Sequence, residues 1–90
     1  MFYQITEKIY KKRADFGDVD DYNKYMRSVL QPGVRVKFLG GWYISGVNSG
    51  DVGTVTSSVY VSYGVDCVKV DFDTGPRDVV VYCDYIEMIN

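Results

Sequence analysis

The stretch Leu30-Gln31-Pro32-Gly33-Val34-Arg35-Val36-Lys37-Phe38 decides how this chain folds. Upstream of it, Tyr22, Tyr25, Met26 and Val29 fall at i, i+3, i+4 and i+7, one apolar stripe with helical period. Downstream, Val34, Val36 and Phe38 alternate with Arg35 and Lys37, the period of a strand with one buried face. Pro32 and Gly33 stop the helix between the two patterns. Asp18 or Asp20 can accept bonds from the unpaired amides of a first turn. The spacing therefore predicts a helix over about 19–30 and strands from 34 onward.

Toward the C terminus, residues 40–50 (GGWYISGVNSG) contain four glycines and read as a long turn carrying Trp42 and Tyr43. Asp51-Val52-Gly53-Thr54-Val55 leads into a second strand; residues 58–64 (SVYVSYG) read equally as an excursion or as an extension of it. Val68, Val70 and Phe72 alternate with Cys67, Lys69 and Asp71, a third strand. Asp73-Thr74-Gly75-Pro76 is hairpin-turn chemistry. Asp78 to Cys83 follows as a fourth strand, with Val79 and Val81 on one face and Val80 and Tyr82 on the other. Asp84-Tyr85-Ile86 reads as one 3₁₀ turn before a short last strand, Glu87 to Ile89. This order predicts a mainly β fold, a small SH3-like five-stranded barrel over about 34–89 with an N-terminal helical extension. An OB-type barrel would place a helix between strands, and none is visible. Phe2, Ile5 and Ile9 suggest a weak amphipathic helix over 1–12, broken at 14–17, so 1–12 is set apart as a basic lead-in to a domain over 13–90.

Ninety residues make one domain. The chain has no histidine, so neither a Ser–His or Cys–His nucleophile pair nor a His metal site can be built. Cys67 and Cys83 cannot hold zinc alone, and they fall on adjacent strands out of register. They read as free thiols of a cytoplasmic protein, with the nucleus as the alternative. No cofactor, metal or catalytic residue is expected, and no apolar run approaches the ~20 residues of a membrane span. Residues 1–13 carry a net +3 and residues 14–90 a net −5. An acidic body opposes nucleic-acid binding, which needs a basic stripe.

The run Gly50-Asp51-Val52-Gly53-Thr54-Val55 reads first as a turn entering a strand, with Asp51 bracing it. Similar runs occur in KOW-type RNA-binding barrels, but no lysine follows this one. Asp66, Asp71, Asp73, Asp78 and Asp84 read as a solvated sheet edge, with Asp71 and Arg77 pairing across a turn. The chain holds nine tyrosines, four phenylalanines and one tryptophan, which a small barrel can use as core or as interface, and composition alone does not divide them. Trp42, Tyr43, Tyr60 and Tyr63, in or beside loops, and Tyr82 on its strand are the candidate protein-binding residues. A cage for a methylated amine, as in Tudor-like barrels, is the other use of such rings.

Three stretches together resemble the CPH domain of cullin-type, Parkin-like cytoplasmic and HERC-type ubiquitin ligases. They are Arg13-Ala14-Asp15-Phe16, Asp20-Asp21-Tyr22-Asn23-Lys24-Tyr25-Met26-Arg27, and Leu30-Gln31-Pro32-Gly33-Val34-Arg35-Val36. The likeness continues through Gly50-Asp51-Val52-Gly53, Val68-Lys69-Val70-Asp71-Phe72, Thr74-Gly75 and Ile86-Glu87-Met88-Ile89. Gly33-x-Arg35-Val36 with Trp42 also resembles the related MIB/HERC2 module. The resemblance implies an SH3-like barrel that docks a protein, such as the tetramerisation domain of a tumour-suppressor transcription factor. It also implies that ubiquitin-transfer chemistry lies elsewhere in the ligase. Phe72 stands where the family has tryptophan, Asp78-Val79-Val80 where it has Tyr-Trp-Val, and Trp42-Tyr43 where it tends to Tyr-Glu-Glu. These departures fall where a partner would be touched.

Overall fold

Asp18 starts the helix: its carboxylate accepts the Asp20 amide at 2.9 Å, in a computed structural model that describes residues 10–89. The amphipathic helix expected over 1–12 falls on residues outside those described, and Tyr10 to Lys12 carry no helix. A 3₁₀ turn, Arg13–Asp15, precedes helix α1, Val19–Val29. The stripe read from the sequence is the face α1 turns inward. Tyr22 and Met26 are fully buried, with Tyr25 and Val29 at the margin of the core. Burying each large side chain contributes about 1.5–3 kcal/mol. The Leu30 amide closes the last turn on the Met26 carbonyl at 2.8 Å. Gly33, at φ +101, then reverses the chain so that its amide reaches the Val55 carbonyl at 2.8 Å.

The strands are β1 (Arg35–Phe38), β2 (Val52–Val55), β3 (Tyr60–Ser62), β4 (Val65–Phe72), β5 (Val79–Tyr82) and β6 (Ile86–Met88). All pair antiparallel. β1 lies between β6 (Val36 opposite Met88) and β2 (Val36 opposite Gly53). β4 pairs with β2 through Gly53 and Phe72, and with β5 through Val68 and Val81. β3 adds to the first half of β4, on the edge that β2 occupies further along. β2 and β3 are thus one lane, interrupted at 56–59. Thr56 donates to the Lys69 carbonyl at 2.8 Å and Lys69 to Ser57 Oγ at 2.9 Å, carrying the pairing across the gap. The stretch 58–64 is an extension of the second strand, and the strand segments fill five lanes.

Among the described residues no ladder joins β5 to β6, so the sheet is a curled half-barrel. A 3₁₀ turn, Cys83–Tyr85, carries the chain across. It begins one residue before the expected turn, and the last strand likewise, because Ile86 and Met88 are the residues that alternate into the core. β5 begins at Val79 rather than Asp78: Asp78 is left-handed, at φ +56, and donates its amide to Asp71 Oδ1 at 2.7 Å. Arg77 Nη1 lies 3.3 Å from Asp71 Oδ2, the pair expected across this turn. Asp51 accepts the Asn48 amide at 2.8 Å, bracing the turn into β2. Val36, Phe38, Val55, Val68, Val70, Val81, Ile86 and Met88 form the sheet's share of the core, closed by Tyr22 and Met26.

Candidate protein-binding site

Strand alternation turns Val68, Val70 and Val81 toward the core and Cys67, Lys69, Val80 and Tyr82 outward. On that outer face Tyr60, Cys67 and Tyr82 sit directly opposite one another across β3, β4 and β5. Cross-strand partners in this relation touch. The flanking tyrosines explain why Cys67 is fully buried although it faces away from the core.

Tyr82 continues the row into a group of three rings. Its centroid is 5.5 Å from Trp42 and 6.1 Å from Tyr85, and Trp42 is 6.1 Å from Tyr85. The planes lie within 32° of one another. A column would put its outer rings twice as far apart as its neighbours, and a cage would set its walls at steep angles. Near-equal separations with near-parallel planes make three mutually offset-stacked rings instead, one continuous aromatic platform. Trp42 is its exposed ring, 53% accessible, while Tyr82 and Tyr85 are half-buried supports.

The Gly40–Gly50 loop delivers Trp42. Gly40 and Gly41, at φ +85 and +88, let the chain double back over the sheet, and a Cβ on Gly41 would meet the Tyr85 ring at 3.4 Å. Midway, the loop approaches Pro76, 3.3 Å from where a Gly46 Cβ would lie, so it runs along β5. The 83–85 turn is held from the other side. Asn23 Nδ2 of α1 donates to Asp84 Oδ1 at 3.0 Å, and Arg13 Nη2 to the Asp84 carbonyl at 3.2 Å. Lys69 faces outward one row from Tyr82, whereas Asp66, on the opposite face of β4 from Cys67, pairs with Arg27 of α1.

Of the five residues singled out from sequence, the structure brings Trp42 and Tyr82 into contact and sets Tyr60 in the row of Tyr82. Tyr43 and Tyr63, 85% and 96% exposed, make no ring contact among the described residues. Tyr85 was missed. Its signal was the spacing from Tyr82, since residues three apart eclipse one another in a 3₁₀ turn. Burial pushes the Cys67 thiol up, and pushes Cys83 up to about 12, with Asp66 adding to both. Both thiols stay protonated at neutral pH, the reverse of what a nucleophile needs. Among the described residues no three His, Cys, Asp or Glu side chains are placed to hold a metal, and no helix is long and apolar enough to cross a membrane.

A family profile described as Mouse development and cellular proliferation protein Cullin-7 matches residues 13–90. The chain is also 38% identical over 82 residues to the E3 ubiquitin-protein ligase HERC2 of Homo sapiens, an alignment covering 90% of this chain and 1% of that protein. No solved structure matches. With the capped helix, its Pro-Gly stop and the curled antiparallel sheet in place, these matches show that the chain belongs to the Cullin-7 family, as a CPH domain of the kind carried by cullin- and HERC-type ubiquitin ligases.

Proposed function

We propose that this chain is a non-catalytic protein-docking module of a ubiquitin ligase or of its scaffold, working in the cytoplasm or nucleus. It grips its partner on the Trp42–Tyr82–Tyr85 platform, with Tyr60 extending the row and Tyr43 and Tyr63 adding outward rings. The carrying observation is the platform itself: a tryptophan stacked in place on two tyrosines yet half in solvent, outside a core that is complete without it. Rigid aromatic anchors of this sort dominate the energy of protein interfaces. The flat arrangement of the rings argues against a methylammonium cage, and the net −5 of residues 14–90 against a phosphate partner. The family resemblance makes the tetramerisation domain of a tumour-suppressor transcription factor the first partner to test.

Calorimetric titration of the chain with that domain tests the reading. Trp42→Ala and Tyr82→Ala should each weaken binding about tenfold or more, as central aromatic anchors do. Binding that persists unchanged in both variants removes the platform from the site. Binding that collapses steeply with added salt would assign the affinity to charge pairing instead of the rings.

A further inference from the structure

The β3–β4 hairpin carries features that neither the core nor the platform explains. Its two-residue turn, Tyr63-Gly64, has φ of +52 and +76, a primed turn whose easy occupants are asparagine, aspartate and glycine. A tyrosine there strains the backbone and buries nothing, because Tyr63 is 96% exposed. Val61, on the same strand, is 69% exposed.

The edge of the hairpin is open as well. In a two-residue hairpin the closing pair, here Ser62 and Val65, exchanges both of its bonds. Ladder alternation then directs the N–H and C=O of Val61, opposite Asp66, away from β4. The bonds further along agree, since Lys69 meets Thr56 and Ser57 on that same edge of β4, as the alternation from Val65 through Cys67 requires. Among the described residues β3 ends the sheet, and no strand pairs with its outer side. Residues 56–65 (TSSVYVSYGV) contain neither a charge nor a proline, the usual protections of an exposed edge.

We propose that β3 is a receiving edge. An extended segment of a partner protein adds to it as a further strand, bonding the Val61 N–H and C=O and laying an apolar side chain against Val61 and Tyr63. The segment alternates apolar and uncharged polar residues, because the edge offers no charge to pair. A second copy of the chain fits less well. Pairing β3 with itself brings a three-residue strand from each side into register, far short of the ~1,200 Å² that a stable protein interface buries. Val61 points to the opposite face of its strand from Tyr60, so this surface does not depend on the platform being a docking site.

The test titrates a blocked Thr-Val-Thr-Val-Thr-Val hexapeptide, at millimolar concentration, into the isotope-labelled full chain. The Val61 amide resonance should move and its hydrogen exchange slow as the peptide binds. Val61→Pro removes the outward N–H while sparing the bonds of Tyr60 and Ser62 to β4, and should weaken the peptide about fivefold, the worth of one backbone bond. If that variant fails to fold, Val61→Lys gives the same readout through a charge on the edge. Tyr63→Asn should raise the denaturation midpoint and still weaken the peptide about threefold; a merely structural tyrosine would do only the first. The inference falls if Val61 is unmoved by peptide, if the shifts are confined to Trp42, Tyr82 and Tyr85, or if Val61 responds to protein concentration instead, which would assign the edge to a second copy.

Discussion

Replacing Gly53 with alanine tests how tightly the middle of the sheet is closed. Gly53 is buried in β2, opposite Val36 on one side and Phe72 on the other. Its backbone is not left-handed, so space and not conformation excludes a side chain. A Cβ there would lie 2.6 Å from the Asp71 carbonyl oxygen, 2.6 Å from Val70 Cγ1 and 3.1 Å from Phe72 Cα, where ordinary contact begins at 3.4 Å. Val70 is β-branched and stiff, and Asp71 is backbone in a ladder, so β2 and β4 must part by most of an ångström. Over-packing of this kind costs about 1–3 kcal/mol. Weakened ladder bonds cost about 1 kcal/mol more. The stiffer unfolded chain returns about 0.4–1 kcal/mol. The net loss is about 2 kcal/mol, or roughly 10 °C in Tm for a domain of this size. Urea unfolding followed by circular dichroism and by Trp42 fluorescence measures it, with Gly50→Ala as the companion. Gly50 has φ +95 and nothing within 4 Å of its missing Cβ, so that change should lose about 1 kcal/mol through strain alone. A Gly53→Ala loss under about 0.5 kcal/mol would mean the lanes separate freely, and would refute the packing account.

Asp18→Ala should cost about 1 kcal/mol by removing the cap on the Asp20 amide, and an unchanged urea midpoint would count against the cap. Tyr22→Phe should leave stability unchanged or raised, since among the described residues no hydrogen bond reaches the buried Tyr22 hydroxyl; a loss of about 1 kcal/mol in urea unfolding would refute this. Cys83 binds its proton more tightly folded than unfolded, so its contribution is complete below the ordinary thiol value of 9.0 and drains away as pH rises toward about 12. By pH 11 wild type should have lost on the order of 2 kcal/mol more than Cys83→Ala, and urea midpoints for the two proteins that fall in parallel from pH 8 to 11 would contradict this.

The parts of this fold that were legible in the sequence are those decided locally. Cap, stripe and stop for α1 lie within sixteen residues, and the structure places the helix at Val19–Val29 against an expected 19–30. Period-two alternation likewise found β1 and β4, because one face of each is buried. The fate of 58–64 was not legible. No periodicity tells an extension from an excursion; β4 decided it by being long enough for two partners on one edge. The platform was half legible for the same reason. Trp42 and Tyr82 were visible as surplus aromatics, but their contact depends on a loop returning over the sheet, and Tyr85 lies beside Gly41, 44 positions earlier. Cys67 shows the limit from the other direction: alternation turns it outward, and only its cross-strand tyrosines explain its burial.

The helix belongs to the site as much as to the core. Tyr22 and Met26 anchor α1 inside, while from the same region Asn23 and Arg13 hold the two polar ends of Asp84. Asp84 is the middle of the turn that spaces Tyr82 from Tyr85. The platform's two supporting rings are therefore positioned by an element from the opposite end of the chain, and its exposed ring by a loop that contributes Val47 to the core. Inward valines hold the sheet and outward rings are stacked upon it, so truncating Trp42 removes a contact surface without opening a cavity. Such a division allows a docking surface to diverge while the fold beneath it persists.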